Sequence, residues 1–593
     1  MCSESPASLT SLACVVTAVF PDSKENKHSA CGVLLNPSEG ILLCHGSILA
    51  DFGLSEHILL SKIKAGEVIS NSDFNECSFT VLLDKCWRSA NLLVTQSPSI
   101  VTAGDVNANH EEEIAFSPLT CKFLGAFRNF DFHDAVCKTM PEDNWTFASG
   151  PEEDSVSSGN KSNIANSEDH TNSIAFQLLS YFVLLQCPSL VHQVNQLPSP
   201  LMRTMLAENL IRNEQCEVGS EAEIISTPFG GLNPHVFFNS YSRGVISNVS
   251  GRKGCWILTD ARCIPGSEGG PLFTIQLDGT RQLAGMVVAS LCWKNKEWVG
   301  LSLVCGINSV LSALSSHIRR SMSVQGWRSL DSLDYDLSPS NDYEQHVDNQ
   351  AIEAGMKNVM PYVVLVKVGR VWGSGFVIDT RKGLVLTCSH VIKDASLHDP
   401  PILLRAYNCS RLFKASVIYR QTSVDIDPFD LAVLRCPEMM RNLIPSVLPK
   451  VVPPSIGQRV HVCGHAIFNT DLGLQPSVSS GVISKVVKIR GQDIMVQSTC
   501  AVHAGASGGP LLDMEGNLVG IVVCNTVDKC SNSTYPHVNF SVPAITVWPS
   551  VLHYIETGDA SLMKSMKVTD TLVKKLWALD TTLETGCTLK SKL

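Results

Sequence analysis

The chain has 593 residues, which is more than one ordinary hydrophobic core accommodates and enough for two to four domains. Hydrophobic residues make up 44% and charged residues 17%, which excludes a mostly disordered, collagen-like or coiled-coil protein. The formal charge of -10 comes without a block of Lys or Arg that would follow a phosphate backbone, so nucleic acid is not an expected partner.

The 22 cysteines are scattered along the chain rather than grouped as in small disulfide-rich secreted domains. We therefore expect mostly free thiols. The N-terminus has no basic segment, and the apolar stretch 12–20 is about half as long as a membrane-spanning helix. It predicts a buried strand, and neither a signal peptide nor a membrane span is expected.

Most of the chain consists of short runs rich in Val, Ile and Leu, separated by Gly, Pro, Asn and Ser, which is typical of an all-β protein. A helical spacing of apolar residues occurs chiefly at 561–580. Two polar stretches, 142–173 and 331–349, predict loops or linkers. The alternative reading of such a stretch is an acidic binding tract.

Three pairs of similar segments occur in the same order in the two halves of the chain, which indicates a duplicated fold. The pairs are 31–49 with 374–392, 242–247 with 479–484, and 264–272 with 503–511. The second copy is predicted at 351–560 and the first within 1–320.

The second copy contains the residue types that acyl transfer by a serine requires. His390 follows an apolar strand, Asp430 precedes another, and Ser507 lies in a glycine-rich loop. A histidine base, a carboxylate that orients it and a hydroxyl nucleophile form a catalytic triad. Glycines beside Ser507 allow a tight turn in which the N–H groups of Gly505 and Ser507 would form an oxyanion hole.

This order of His, Asp and Ser, with the loop sequence Gly-Ala-Ser-Gly-Gly-Pro-Leu, resembles the chymotrypsin-fold serine proteases and within them the HtrA/Deg branch. Only about 30 residues follow the protease segment, too few for the PDZ domain that usually follows in that branch. The resemblance implies two tandem chymotrypsin-like double β-barrel units of all-β class and a serine-type endopeptidase that uses no metal or other cofactor.

The last three residues, Ser591, Lys592 and Leu593, match the tripeptide read by the peroxisomal import receptor, which requires an exposed, flexible tail. Together with the long N-terminal extension they make the chain similar to the family of peroxisomal leader-peptide-processing proteases. That resemblance implies a location in the peroxisome matrix and imported matrix-protein precursors as substrates, with limited cuts in other proteins of fatty-acid β-oxidation. A homo-oligomer is left open.

Specificity is predicted from the position six residues before the nucleophile, which is the base of the specificity pocket in chymotrypsin-like folds. Here it is Ala501, so no carboxylate is present to bind Arg or Lys. A small or neutral side chain is expected, such as the Cys that the family resemblance implies. His503, four residues before Ser507, either lines the pocket or is simply exposed.

The first copy is predicted to be degenerate. Aligning the repeats places Ser47, Tyr181 and Glu268 at the positions of His390, Asp430 and Ser507, while His45 lies two residues too early. The first copy also has about 94 more residues between the first two of these positions. We expect this insertion to be exposed, and a self-cleavage after Cys121 or Cys137 is a hypothesis for how the halves are separated or regulated.

The domain prediction is then a degenerate protease-like segment at 1–320 with a polar insertion at about 105–175, an acidic linker at 321–350, the catalytic domain at 351–560, and a short helical tail with the targeting tripeptide at 561–593. The alternating residues His461, Cys463 and His465 are an alternative metal-binding pattern. The rival functions are a peptide-binding protein without catalysis and a cytosolic quality-control protease whose last three residues are incidental.

Overall fold

The structure is a computed structural model. It describes residues 13–19, 27–36, 39–50, 57–70, 73, 78–83, 118–140, 145–146, 174–195, 216–228, 237–264, 266–276, 281–294, 297–320, 358–395, 400–421, 428–440, 449–468, 474–528, 533–577 and 589–592.

The first half of the chain begins with a closed antiparallel barrel of six strands in the order β1-β2-β3-β7-β5-β4. The strands are β1 (Ala13–Val19), β2 (Lys27–Asn36), β3 (Ile41–His45), β4 (Ser78–Leu83), β5 (Leu119–Arg128) and β7 (Tyr181–Gln186), and β6 (Trp145–Thr146) joins the next sheet. All five residues of β3 are buried. Leu42 and Cys44 belong to the cluster inside the barrel, while Ile41 and Leu43 belong to the cluster shared with the second sheet of this half.

The second sheet of the first half has the order β11-β8-β9-β10-β13-β12-β6, and an additional pairing of β11 with β12 closes it. Its strands are β8 (Glu221–Ser226), β9 (Ser240–Ser250), β10 (Trp256–Thr259), β11 (Pro271–Ile275), β12 (Arg281–Lys294) and β13 (Glu297–Gly306).

The second half repeats this organisation. One sheet has the order β18-β17-β14-β15-β16-β20-β19, and the other has the order β24-β21-β22-β23-β26-β25-β27 with a closing pair of β24 and β25. The strands of the first sheet are β14 (Val363–Val368), β15 (Val371–Asp379), β16 (Leu384–Cys388), β17 (Ile402–Arg405), β18 (Phe413–Lys414), β19 (Ser416–Arg420) and β20 (Leu431–Arg435). Those of the second are β21 (Arg459–Gly464), β22 (Ser477–Ile489), β23 (Gln492–Ser498), β24 (Pro510–Asp513), β25 (Leu518–Asp528), β26 (Ser533–Pro543) and β27 (Leu589–Lys592).

The registers of the two halves agree strand by strand. In the first half Gly32 is opposite Cys44, and Cys44 is opposite Val183 on its other side. In the second half Gly375 is opposite Thr387, and Thr387 is opposite Ala432. The predicted all-β class with tandem double β-barrel units is confirmed.

The described helices are few and short. They are α1 (His57–Ala65), α2 (Phe130–Thr139), α3 (Ile174–Leu178), α4 (Pro188–Asn195), α5 (Ile307–Arg320), α6 (Pro437–Met440), α7 (Ala544–Thr557) and α8 (Thr571–Trp577). The helix predicted at 561–580 is present as a 3₁₀ helix, Ala560–Met566, followed by α8. No helix among the described residues is both long and apolar enough to cross a membrane.

The second sheets of the two halves pack against each other. Strand β9 lies against β22, and β13 lies against β26. The buried carboxylate of Asp260 accepts hydrogen bonds from the N–H of Val245 in its own half and of Ser480 in the other. The ring of Phe468 packs edge-on against Trp256 with 5.9 Å between ring centroids. The interface therefore contains both an apolar contact and a buried polar contact.

Two predicted connecting segments have different outcomes. The acidic linker 321–350 lies outside the described residues. Within the segment 105–175, predicted as one polar insertion, the structure places β5 as a barrel strand and α2 directly after it in the chain. The extra residues of the first half are therefore divided by a core strand, whose Phe123 belongs to the barrel interior and whose Phe127 belongs to the cluster shared with the second sheet. The cysteines whose side chains are described are thiols and not members of disulfide bonds, as predicted.

Candidate active site

Two strand ends bring His390 and Asp430 together. Strand β16 ends at Cys388 and is followed by a 3₁₀ turn, His390–Ile392, while Asp430 directly precedes β20. Because Cys388 is opposite Leu431 in the antiparallel pair of β16 and β20, the residues just beyond both ends are neighbours. Asp430 has a φ of 53°, a left-handed conformation that short polar residues tolerate better than most.

Both carboxylate oxygens of Asp430 are hydrogen-bonded to His390. One carboxylate oxygen accepts a hydrogen bond from the N–H of His390 at 3.0 Å, and the other is hydrogen-bonded to the ring Nδ1. The Asp430 side chain is 2% exposed and that of His390 21% exposed. A carboxylate at Nδ1 keeps the proton there and leaves Nε2 as the basic nitrogen.

The loop that carries Ser507 is attached to the other barrel of the same half. The N–H of Ser374 in β15 donates to the carbonyl of Ser507 at 2.8 Å, and the N–H of Gly508 donates to the carbonyl of Val522 at 2.8 Å. A Cβ atom at Gly508 would lie 2.9 Å from the backbone nitrogen of Cys388, so the loop reaches the end of β16 beside His390. In this structure the Ser507 hydroxyl donates to the carbonyl of Val523 at 3.1 Å.

The preceding turn has the conformation expected of an oxyanion site. Gly505 has a φ of 96°, and its carbonyl accepts a hydrogen bond from the hydroxyl of Ser374 at 2.7 Å. That hydroxyl also accepts from the N–H of His465 at 2.8 Å, which fixes the loop to β21. Among the described residues the N–H groups of Gly505 and Ser507 have no acceptor, so both are available for a developing oxyanion.

The two residues predicted for the specificity pocket lie in different surroundings. Ala501 is buried, and the amide of Asn539 donates to the carbonyls of Ser498 and Cys500 just before it, at 3.1 and 2.8 Å. His503 is half-buried, and a ring nitrogen is hydrogen-bonded to the carbonyl of Val299 in the first half. Burial lowers the pKa of His503 to about 3, so the ring is neutral at physiological pH.

The residue equivalent to Ser507 in the first half is Glu268. The N–H of Cys31 donates to the Glu268 carbonyl at 2.7 Å, which reproduces the bond between Ser374 and Ser507. Its carboxylate accepts hydrogen bonds from its own N–H and from Gly266, whose φ of 92° matches that of Gly505. The two N–H groups equivalent to the oxyanion hole thus bind an internal carboxyl group. Burial raises the pKa of Glu268 to about 7.

The positions equivalent to Asp430 and His390 hold Tyr181 and Ser47, and both residues, together with the neighbouring His45, make structural contacts. The hydroxyl of Tyr181 donates to the carbonyl of Glu67 at 3.1 Å, and Arg128 lies over its ring, 5.0 Å from the centroid. His45 is buried, with Nδ1 accepting from the N–H of Ser47 and Nε2 donating to the carbonyl of Leu179, each at 3.2 Å. Burial lowers the pKa of His45 to about 4. These side chains have no free acid–base function.

The pattern His461, Cys463 and His465 forms no group of three metal-binding side chains among the described residues. The one such group there is Cys388, His390 and Asp430, whose ligand atoms lie within 4.8 Å of one another. The Cys388 thiol donates to the carbonyl of Val522, and His390 and Asp430 are hydrogen-bonded to each other. The arrangement suits acid–base chemistry of the His–Asp pair.

Comparison with known proteins agrees with this geometry. Residues 373–521, which include His390, Asp430 and Ser507, match the family model of the trypsin-like peptidase domain. The mouse (Mus musculus) peroxisomal leader peptide-processing protease is 30% identical over 596 residues, covering 95% of each chain. The chain belongs to the peroxisomal leader peptide-processing protease family.

A second member of this family, from Homo sapiens, is 29% identical over 598 residues with 95% of each chain covered. The chloroplastic protease Do-like 1 of Arabidopsis thaliana is 34% identical over 189 residues, 31% of this chain and 40% of the other. This member of the peroxisomal leader peptide-processing protease family is thus a serine endopeptidase that acts on protein substrates.

Several residues of the site were not predicted. Ser374 and Asn539 fix the two sides of the Ser507 loop by side-chain hydrogen bonds to backbone carbonyls, and nothing in the sequence indicated these contacts. The role of Glu268 was also missed, because alignment indicates only the loss of serine. Both halves have a glycine two residues before this position, Gly266 and Gly505, and this shared glycine is the one available signal.

Proposed function

We propose that Ser507 is the nucleophile of this endopeptidase, His390 its general base and Asp430 the residue that orients the base. The hydrogen-bonded pair of His390 and Asp430, shielded from water on the Asp430 side, carries this proposal. After rotation from Val523 toward His390, the Ser507 hydroxyl attacks the scissile carbonyl carbon while Nε2 takes its proton.

The N–H groups of Gly505 and Ser507 stabilise the negative oxygen of the tetrahedral intermediate. One such donor contributes about 3 kcal/mol to lowering the barrier. His390 then returns the proton to the leaving amine, and water hydrolyses the acyl-enzyme by the same steps. The first half supports this assignment, because there the equivalent N–H groups hold the carboxylate of Glu268.

The proposed substrates are precursors of peroxisomal matrix proteins, from which the enzyme removes N-terminal leader peptides. In other proteins of fatty-acid β-oxidation it makes limited cuts. The names of the mouse and human relatives and the C-terminal Ser591, Lys592 and Leu593 support a peroxisomal location and binding to the import receptor. A neutral Ala501 at the pocket base supports a small or neutral residue before the cut.

We propose further that the first half, 1–320, is a non-catalytic copy and that the enzyme also cuts itself. Both cysteines considered as cleavage sites lie in regular structure, Cys121 in β5 and Cys137 in α2. A peptide must be extended to enter a protease site, so a cut at either cysteine requires its element to unfold first. A connecting segment is therefore the better location for the cut.

The test combines active-site labelling with product mapping. The full chain, Ser507→Ala and the matched control Ser267→Ala, which alters the corresponding loop of the first half, are treated with a fluorophosphonate probe. We expect the probe to label the unaltered chain and Ser267→Ala, and not to label Ser507→Ala. The same proteins are incubated with a precursor matrix enzyme, and new N-termini are sequenced. Equal labelling or equal cleavage by Ser507→Ala would refute the assignment.

A further inference from the structure

The C-terminal segment of the chain forms an edge strand on the catalytic half. Strand β27 pairs antiparallel with β25, with Leu589 opposite Asp528 and Lys592 opposite Asn525. The sequence predicted a flexible, exposed tail at Ser591 and Lys592, whereas the structure places both residues in this strand. The difference arises because β25 has an edge beyond β24 that another extended segment can cover.

The edge of β25 that β27 covers lies close to Ser507, the proposed nucleophile. The Ser507 hydroxyl donates to the carbonyl of Val523, and Asn525 follows two residues later on the same strand, about 7 Å away at the usual rise of a strand. Because β27 runs antiparallel to β25, its carboxyl end is directed toward Ser507. An extended substrate whose acyl side approaches Ser507 would run in this same direction.

The first half shows the same arrangement independently. Strand β12 corresponds to β25, since Pro271 is opposite Met286 as Pro510 is opposite Ile521. On the equivalent edge of β12, β6 pairs antiparallel, with Trp293 opposite Thr146. Each half therefore covers this edge with a segment of its own chain.

We propose that residues 589–592 are an autoinhibitory strand that occupies the edge of β25 on which the acyl side of a substrate would dock. This inference rests on the proposed function of Ser507. Extended peptides bind sheet edges through main-chain hydrogen bonds, so β27 and a substrate compete for the same N–H and C=O groups. Ser591 and Lys592 cannot pair with β25 and be held by an import receptor at the same time.

The kinetic test compares the full chain with a chain lacking 589–593, using fluorescein-labelled casein as substrate. A tether of this kind gives an effective concentration of about 1 mM, so a tail that binds with Kd of roughly 0.1–1 mM raises KM about 2- to 10-fold. Deletion should lower KM by that factor and leave kcat unchanged. The free peptide of the last five residues should inhibit the shortened chain competitively.

Two proline variants provide a matched pair. In an antiparallel pair, N–H groups alternate between facing the partner strand and facing away. Lys590 and Ser591 are adjacent, so the N–H of only one of them faces β25. The proline variant at that residue, Lys590→Pro or Ser591→Pro, removes an inter-strand hydrogen bond and should lower KM as the deletion does. The other should have the KM of the full chain, and equal effects of both would contradict pairing in this register.

Hydrogen exchange reports the strand without catalysis. In the Ser507→Ala background, those amides of 525–528 that face away from β26 should exchange at least about 10-fold faster after deletion of 589–593. Unchanged exchange together with unchanged KM would overturn the inference while leaving the proposed function intact. Absence of fluorophosphonate labelling at Ser507 would instead contradict the proposed function, and exchange would still test the strand.

Discussion

The substitution Glu268→Gln tests the carboxyl group that is held by backbone N–H groups in the first half. The carboxylate is packed against its own N–H and that of Gly266, and burial raises its pKa from 4.5 to about 7. Below about pH 4.5 the group is protonated in both the folded and the unfolded chain. As the pH rises through 7 the unfolded chain has already released the proton, and the stabilisation present at low pH is lost.

The magnitude follows from the shift. A rise in pKa from 4.5 to about 7, at about 1.4 kcal/mol per unit, gives at most about 3.5 kcal/mol. Glu268 is half-buried rather than fully enclosed, so water on its open side reduces this value, and we expect roughly 1–2 kcal/mol. Glutamine keeps an oxygen acceptor for the N–H of Gly266 and has no charge. The variant should therefore match the unaltered chain at pH 4.5 and exceed its stability at pH 8.

The assay is differential scanning calorimetry of both proteins between pH 4.5 and 8.5. The control is Glu67→Gln, an exposed carboxylate in the same half, whose effect should stay within about 0.5 kcal/mol at every pH. A Glu268→Gln chain with the same pH dependence as the unaltered chain would show that burial does not raise the pKa of this carboxyl group. A less stable variant at pH 8 would show that the charge itself is needed by its donors.

Three further substitutions test the catalytic half and the contact between halves. Asp430→Asn should reduce kcat about 10³- to 10⁴-fold with little change in KM, because the ring loses its fixed tautomer; steady-state kinetics measure this. Gly505→Ala should abolish fluorophosphonate labelling, since a Cβ atom at a φ of 96° would lie 2.6 Å from the indole nitrogen of Trp372. Asp260→Ala should lower the free energy of unfolding in denaturant titrations by about 2–4 kcal/mol, because the buried N–H of Val245 and the partly buried N–H of Ser480 lose their acceptor. Its control, Arg459→Ala, breaks a partly exposed ion pair and should lower the free energy of unfolding by less than about 1 kcal/mol.

The local sequence was sufficient for much of the fold and for the triad residues proposed here. Each strand next to His390 and Asp430 is a short apolar run, and the glycines around Ser507 indicate a tight turn before any contact is known. The duplication is visible because both copies need glycine at the same close approaches, as at Gly32 and Gly375, where a Cβ atom would meet the neighbouring strands.

The contacts that were missed depend on backbone groups or on distant partners. Pairing of β27 with β25 involves main-chain atoms, so the polar residues near the C-terminus show no apolar alternation that would predict a strand. The hydrogen bond between His503 and Val299 joins residues about 200 positions apart in the two halves. No periodicity relates such positions, and the contact exists because the second sheets of the halves pack together.

That packing determines what a cut in the connecting chain would do. Phe468 belongs to the buried cluster of the first half, and Val245 belongs to that of the second, so each half completes the core of the other. Hydrolysis of a peptide bond between them would remove one covalent link and leave these contacts in place. The nicked enzyme should run as two bands on a denaturing gel and as one particle in solution, a two-chain protease rather than a released catalytic domain.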